Sequence, residues 1–519
     1  MALVDGHILF ACSFPLLLFL FWVLFGQSKL RRNGVVLRKP PNTWPLVGNG
    51  IVFLRERQKL FSWFAKCERL YGYETLQISV PSLPPGIIIS DPRNLDYVFK
   101  NEGVFSKGDF VKKRSWDLFG HGIINADGEV WKVQRKAGLR FLNTTNLKVL
   151  TQTALPQYLQ QSIDFLDTQA AAGSLVDLQA VFHEITTQLM GSMAYNMEMH
   201  ADDNFSVAFD HASGVTAERF QNPLWFVTEV FFGSRFRRSV SIVKSYGAAM
   251  VANAVRDRRR IDSEAKPNES EHDGGRGLKQ VEGSLIQSFL DAIGDESLVA
   301  DAALNYLSAG RDTTAQVLTW TFYLLMRHPD VVAQIRTEVS RVIGADGQNI
   351  GSSFQLRPAC LGDVAALPFT HAVFNEALRL YPPVPFEIKQ SMEATTLPDG
   401  TFLPRDSVVV WCPWAMNRSR LTWGVASEDF QPQRWLDQSG SKVITRSASE
   451  FPVFNGGPRT CLGKRMAELM ATQVIAVMVL KFDFIETDHG ERVSKSSLTL
   501  PMKGGLPCRV KKRKGGQFL

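Results

Sequence analysis

The stretch Phe454-Asn455-Gly456-Gly457-Pro458-Arg459-Thr460-Cys461-Leu462-Gly463 sets one cysteine in a glycine-flanked loop, with an arginine and an aromatic ring at fixed offsets. It reads as a loop built to present a thiolate to a metal. Gly457 and Gly463 permit backbone angles and close approach that a side chain would block, so the loop can lie flat against a large planar cofactor. The run Met466 to Leu480 is apolar and helix-like. Cys461 therefore falls just before a helix N-terminus, where the dipole and free N–H groups favour a thiolate. Arg459 supplies a permanent cation for a cofactor carboxylate, and Phe454 shields the sulfur from water. The competing reading, a buried cysteine in a glycine-rich turn, leaves the arginine and aromatic offsets to chance.

Upstream, residues 299–327 carry apolar or small residues at 303, 306, 307, 310, 314, 317, 321, 324 and 325, the spacing of one face of a long central helix. Within it lies Ala309-Gly310-Arg311-Asp312-Thr313-Thr314. A mid-helix glycine costs about 1 kcal/mol relative to alanine. Close helix packing would justify Gly310, and so would room for a flat cofactor and a diatomic ligand. Thr313 can hydrogen-bond backbone and ligand together, while Asp312 can connect bulk water to that site. Glu376-Ala377-Leu378-Arg379 puts a carboxylate and a guanidinium on one helix face. A second arginine follows in Phe430-Gln431-Pro432-Gln433-Arg434-Trp435, and Trp131 and Arg135 stand at i and i+4 of another helix.

The first stretch matches F-x-x-G-x-R-x-C-x-G, and on it the chain resembles the cytochromes P-450, a heme-thiolate family. The other motifs follow in family order, so the resemblance spans the chain from its N-terminal anchor to Leu519. It implies a mainly α fold with small β-sheets, the cytochrome P-450 fold, and heme b with the Cys461 thiolate as axial ligand of the iron. Such a thiolate pushes electron density onto the metal and favours O–O cleavage. It also implies that Asp312 and Thr313 deliver protons to dioxygen and that Gly310 lies beside the cofactor. Trp131, Arg135 and Arg459 would hold heme propionates, with Lys389 near the second. Glu376, Arg379 and Arg434 would form a buried triad that locks the fold. Gln433 departs from the glutamate that many relatives carry, with little consequence expected because the arginine is kept.

Composition narrows the setting. The chain has 519 residues and a formal charge of +7, which suits nucleic acid or a membrane surface. Membrane is favoured and nucleic acid is not, because basic residues cluster beside an apolar segment and at the C-terminus, where Arg509 to Lys514 reads as a solvated tail. Ile8 to Phe25 is apolar and is followed by Lys29, Arg31 and Arg32. That pattern gives a single-pass anchor at 1–28, a basic and proline-rich elbow at 29–50 and one catalytic domain at 51–519. By the positive-inside rule the domain faces the cytosol from the endoplasmic reticulum membrane. Six cysteines without paired spacing fit a reducing compartment.

Locally, Leu76, Ile78 and Val80 alternate as in a half-buried strand, with Gly86 to Ile89 as antiparallel partner. Asp91-Pro92 opens a helix. Residues 127–330 read as mostly helical, broken by a disordered polar connection at 262–277. Asp399-Gly400 marks a hairpin, and Val408 to Trp411 a short buried run.

Finer resemblance, in Phe105-Ser106-Lys107-Gly108, Gly122 to Trp131, Leu397 to Thr401 and Ser497 to Lys503, points to the membrane-bound fatty-acid and alkane terminal hydroxylases of fungi and plants. The resemblance places Phe110, Trp116, Phe119, Ile123, Ile124, Leu307, Val384, Phe386 and Leu500 around the substrate. The aromatic stretch Phe220 to Phe236 reads as an entrance lid dipping into lipid, or as a buried helix pair. Tailoring of a polyketide or terpenoid is the alternative substrate reading. A non-catalytic heme sensor or electron carrier is the alternative class, and an electron-independent rearrangement is a third. No flavin or nicotinamide fingerprint is present, so electrons from NADPH would come through a P-450 reductase, with cytochrome b5 as an optional second donor. Lys132, Arg135, Lys136, Lys464 and Arg465 offer a basic surface for an acidic flavoprotein.

Overall fold

The computed structural model describes residues 28–81, 83–264, 284–345 and 366–513. The fold is mainly helical with three small sheets. The expected anchor lies outside the described residues, apart from Ser28 at its end. Among those described no helix is long and apolar enough to cross a membrane. The polar connection also lies outside them from residue 265 onward; the residues before that end the Ser234–Glu264 helix.

Leu76–Ile78 and Gly86–Ile88 pair antiparallel as expected, with Gln77 opposite Ile87. The first strand is buried on both faces, however. Gln77 can be buried because its amide takes the place of a main-chain neighbour: Nε2 donates to Ser28 O at 2.8 Å and Oε1 accepts from Leu30 N at 3.0 Å. Val408–Trp411 adds to Gly86–Ile88 in parallel, and Glu387–Ser391 and Phe105–Ser106 complete this five-stranded sheet. Asp91 caps the Pro92–Lys100 helix through Arg93 N at 2.8 Å. The hairpin at Asp399-Gly400 joins Thr395–Thr396 to Thr401–Leu403.

Two boundaries move. The elbow at 29–50 begins as a hairpin, Arg31–Arg32 with Val35–Val36, that pairs with Thr401–Leu403. Arg509 to Lys512 is not a loose tail but part of the Pro507–Lys512 strand, held between Phe482–Glu486 and Leu175–Asp177.

The Glu296–Arg327 helix passes through the main core. It starts where Asp295 Oδ1 accepts from Ser297 N and Leu298 N at 2.8 and 3.2 Å. It packs on Leu178–Tyr195, Ser234–Glu264, Leu285–Ile293, Pro368–Leu380 and Lys464–Lys481. Neighbours on all sides bury nearly its whole circumference, so the one-face reading gives way to a helix enclosed all round.

Candidate active site

The Cys461 loop follows two short turns, Pro452–Phe454 and Gly457–Arg459, and runs into the Lys464–Lys481 helix with Gly463 at its N-cap. Cys461 N donates to Phe454 O at 2.7 Å, closing the loop on its aromatic residue. Gly457 has φ +60°, and a Cβ there would strike Phe99 O. Packing on the Pro92–Lys100 helix, not contact with a flat cofactor, demands that glycine. At Gly463 an added Cβ would lie 4.0 Å from Cys461 Sγ, an ordinary contact distance, so the sulfur does not by itself demand a glycine there.

Cys461 is exposed, yet the surrounding protein desolvates its thiol and raises the pKa. The N–H groups of Gly463 and Lys464 and the Arg135 cation pull it down less strongly. A sulfur both exposed and desolvated faces a space inside the protein. The N-terminal pull expected of the helix is present, but burial outweighs it.

The central helix shows the same combination. Between Ala302 and Leu325 it is buried except at Ala309, Gly310 and Thr313. Ala309 and Thr313 lie one turn apart on one face. Thr313 Oγ1 donates to Ala309 O at 2.7 Å, leaving its lone pairs free to accept. Tyr306, a turn earlier, lies close enough to Cys461 and Arg135 for both charges to act on its phenol. That proximity sets this part of the helix across from the loop. Gly310 points elsewhere: an added Cβ would come within 2.6 Å of Met190 Sδ. The expected role of Gly310 beside the cofactor is therefore corrected to packing against Leu178–Tyr195. Ala309, which the sequence reading passed over, opens the face; its i−4 relation to Thr313 was the signal.

Asp312 is buried and paired. Arg311 Nη1 donates to Asp312 Oδ1 at 3.0 Å and to Asp210 Oδ1 at 3.3 Å, and Arg311 Nε donates to Thr187 Oγ1 at 3.0 Å. Asp210 is partly exposed, so a carboxylate–guanidinium–carboxylate chain leads from the helix interior to the surface. Burial raises the Asp312 carboxyl, and Arg311 opposes the rise only in part.

The cations expected at the propionates are already engaged. Arg459 donates to Glu102 Oε1 at 2.5 Å, Asp127 Oδ1 at 2.8 Å and Ala126 O at 2.8 Å. Lys389 shares Glu102 at 3.0 Å, Lys112 meets Asp127 at 2.6 Å, and Lys107 meets Glu387 at 3.3 Å. Arg135 Nη1 donates to Thr460 O at 2.9 Å and feels the charges of Arg459 and Glu102. The buried Trp131 ring carries the Arg459 guanidinium at 4.3 Å and that of Arg135 at 5.5 Å. Five cations against three carboxylates leave two positive charges beside the loop, which fits a cofactor with two carboxylates. Heme b thus finds a cysteine facing interior space, an open helix face opposite it and a matched charge. Glu102, Asp127 and Glu387 were not foreseen, since no spacing marks them.

Glu376, Arg379 and Arg434 do meet. Glu376 accepts from Arg379 Nε and Nη2 at 2.8 Å each and from Arg434 Nε at 2.9 Å. Trp435 Nε1 and Gln431 N, both unforeseen, add bonds at 2.9 Å. Gln433 lies at the exposed edge, on Gln334.

A separate cleft of about 740 Å³, partly open to solvent, is lined mainly by apolar residues including Phe53, Phe64 and Val80, with Phe110 and Phe386. The other expected substrate positions do not line it. Phe119, Leu307 and Leu500 are core residues, and Trp116 sets its edge on His121 at 4.8 Å.

The cytochrome P450 family model matches residues 39–509. Cytochrome P450 CYP94D108 of Paris polyphylla is 31% identical over 82% of this chain and 84% of its own length. Cytochrome P450 94B1 of Arabidopsis thaliana is 29% identical over 96% of each. Cytochrome P450 monooxygenase cyp1 of Mycosarcoma maydis is 28% identical over 91% of this chain and 75% of its own. With the family model spanning most of its length, and a cysteine loop, helix face and cation surplus suited to heme b, this chain belongs to the cytochrome P450 family of heme-thiolate monooxygenases.

Proposed function

We propose that the chain takes electrons from NADPH through a flavoprotein reductase and hydroxylates an apolar, alkyl-chain substrate of the fatty-acid or alkane class at its terminal end. The bound heme supplies dioxygen activation and oxygen insertion into a C–H bond. The protein positions the substrate, excludes water and manages protons. Thr313 offers a hydroxyl acceptor on the open face, and Asp312, its carboxyl raised by burial, holds a proton nearer neutrality than an exposed aspartate would. The apolar cleft carries the substrate reading: each CH₂ taken from water contributes about 0.8 kcal/mol, and an alkyl chain offers many.

An endoplasmic reticulum membrane setting is supported by two exposed apolar patches. The Trp225–Phe232 helix has no buried residue, with Phe231 74% and Phe232 82% exposed. Leu46, Ile51 and Leu54 are exposed as well, and Gln221 Nε2 ties the two regions through Phe53 O and Arg55 O at 3.1 and 3.2 Å. The exposed Trp225–Phe232 helix supports the lipid-dipping reading of the Phe220 to Phe236 stretch, although Phe236 itself is buried. Difference spectra across fatty acids, alkanes and aromatic polycycles, followed by product mass analysis with reductase and NADPH, test the substrate class. Terminally hydroxylated alkyl products support it; turnover of polycycles alone would transfer the chain to tailoring of polyketides or terpenoids.

A further inference from the structure

Among the described residues five arginines are buried as whole residues: Arg57, Arg114, Arg219, Arg311 and Arg379. Three have carboxylate partners. Arg219 holds Asp117 and Glu229, Arg311 holds Asp210 and Asp312, and Arg379 holds Glu376. The other two have none; Arg114 lines the apolar cleft, and Arg57 lies against Phe386, one of its walls.

Arg114 lines it directly. This residue is 6% exposed and hydrogen-bonds only to main-chain carbonyls, Nε to Arg219 O at 3.2 Å and Nη1 to Phe110 O at 2.9 Å, with its guanidinium 3.9 Å from the Phe110 ring centre. Arg57 is 5% exposed, and its guanidinium lies 5.0 Å from the ring centre of Phe386, a cleft wall. Nη2 of Arg57 reaches Leu498 O at 3.5 Å, a marginal bond, while its Nε and Nη1 have no acceptor. Burial with no anion nearby pulls Arg57 down to about 9 and Arg114 to about 10. Both remain cations at neutral pH. A buried guanidinium without an anion is a costly arrangement, which Arg219, Arg311 and Arg379 relieve with an aspartate or glutamate.

We infer that the missing anion is the substrate's own: the cleft takes an amphiphile whose carboxylate is received by Arg57 and Arg114 while its alkyl chain lies along Phe110 and Phe386. This rests on the alkyl-substrate reading and narrows it from alkanes and neutral alcohols to free fatty acids. Arginine suits the task, since its planar donors match a carboxylate in two parallel bonds. A neutral skeleton would leave both cations unmatched.

Calorimetric titration of the holoenzyme with dodecanoic acid and with its methyl ester at pH 7.5 decides the matter. Arg57→Gln and Arg114→Gln should each weaken the acid at least tenfold and the ester less than twofold, and Arg57→Lys should recover part of the loss. In the unaltered protein the acid should bind at least tenfold more tightly than the ester, a comparison that stands even if a variant does not fold. Equal affinity of acid and ester overturns this inference and leaves the alkyl-substrate reading intact. Binding of neither overturns both.

Discussion

At the residue scale the site is a pair of unlike groups on one helix. Thr313 faces interior space with its hydroxyl oriented by Ala309 O, whereas Asp312 turns into the protein toward Arg311. Thr313→Ala removes the acceptor without disturbing the pairing of Asp312. NADPH consumption should continue while hydrogen peroxide replaces product, and fully coupled product formation would refute the proton role. Asp312 makes a separate prediction. Its carboxyl is raised in the folded state from 3.8 to about 6 by burial, with Arg311 and Lys495 opposing and Asp210 adding to the rise. A raised carboxyl contributes stability at low pH that is lost as pH climbs through the folded value. Relative to Asp312→Asn, the unaltered protein should therefore lose stability between about pH 4 and 6, as urea unfolding at a series of pH values would record. These two side chains were legible because chemistry confines them to one motif. Glu102 and Asp127 were not: they reach Arg459 across more than 300 residues of sequence, and nothing local announces such a contact.

Among elements, the Pro368–Leu380 helix shows what long-range pairing does. Glu376 is fully buried and accepts two bonds from Arg379, one from Arg434, one from the Trp435 indole and one from the Gln431 main chain. Glu376→Gln strands two guanidinium groups and should cost about 3–5 kcal/mol, the range for breaking a buried ion pair from one side. Trp435→Phe removes one bond to a charged acceptor and should cost about 1.5–3 kcal/mol. Denaturant midpoints of the two variants should keep that order, and a reversal would contradict the assignment of Glu376 as the hub. The triad was readable from E-x-x-R and the later arginine because its members sit on two recognisable motifs. The central helix was read less well. Periodicity assumes one solvent-facing side, and a helix buried round nearly its whole circumference defeats that assumption. Gly310 shows the same limit, since a glycine fitted against Met190 and a glycine clearing room for a ligand look identical in sequence.

Across the whole molecule, charge divides by function. Lys132, Lys136, Lys464 and Arg465 are exposed, and their ion pairs are either exposed ones or long ones of 3.9 and 4.0 Å to Glu468. Such pairs contribute little to stability and leave these cations available for the proposed docking of an acidic flavoprotein. Lys464→Glu should slow reduction by the reductase and flatten its salt dependence while leaving substrate affinity unchanged; stopped-flow reduction at two ionic strengths measures this, and unaltered kinetics would remove the docking role. The cations deeper in the site are balanced to within two charges, the surplus that a dicarboxylate cofactor requires. All of this presupposes sulfur-to-iron ligation at one position. The direct test is the absorption spectrum of freshly purified, reduced protein under carbon monoxide. The strongly red-shifted Soret band of thiolate ligation should appear, and Cys461→Ser should abolish it; absence of the band in the unaltered protein, or its persistence in the variant, would contradict the assignment of Cys461 as the ligand.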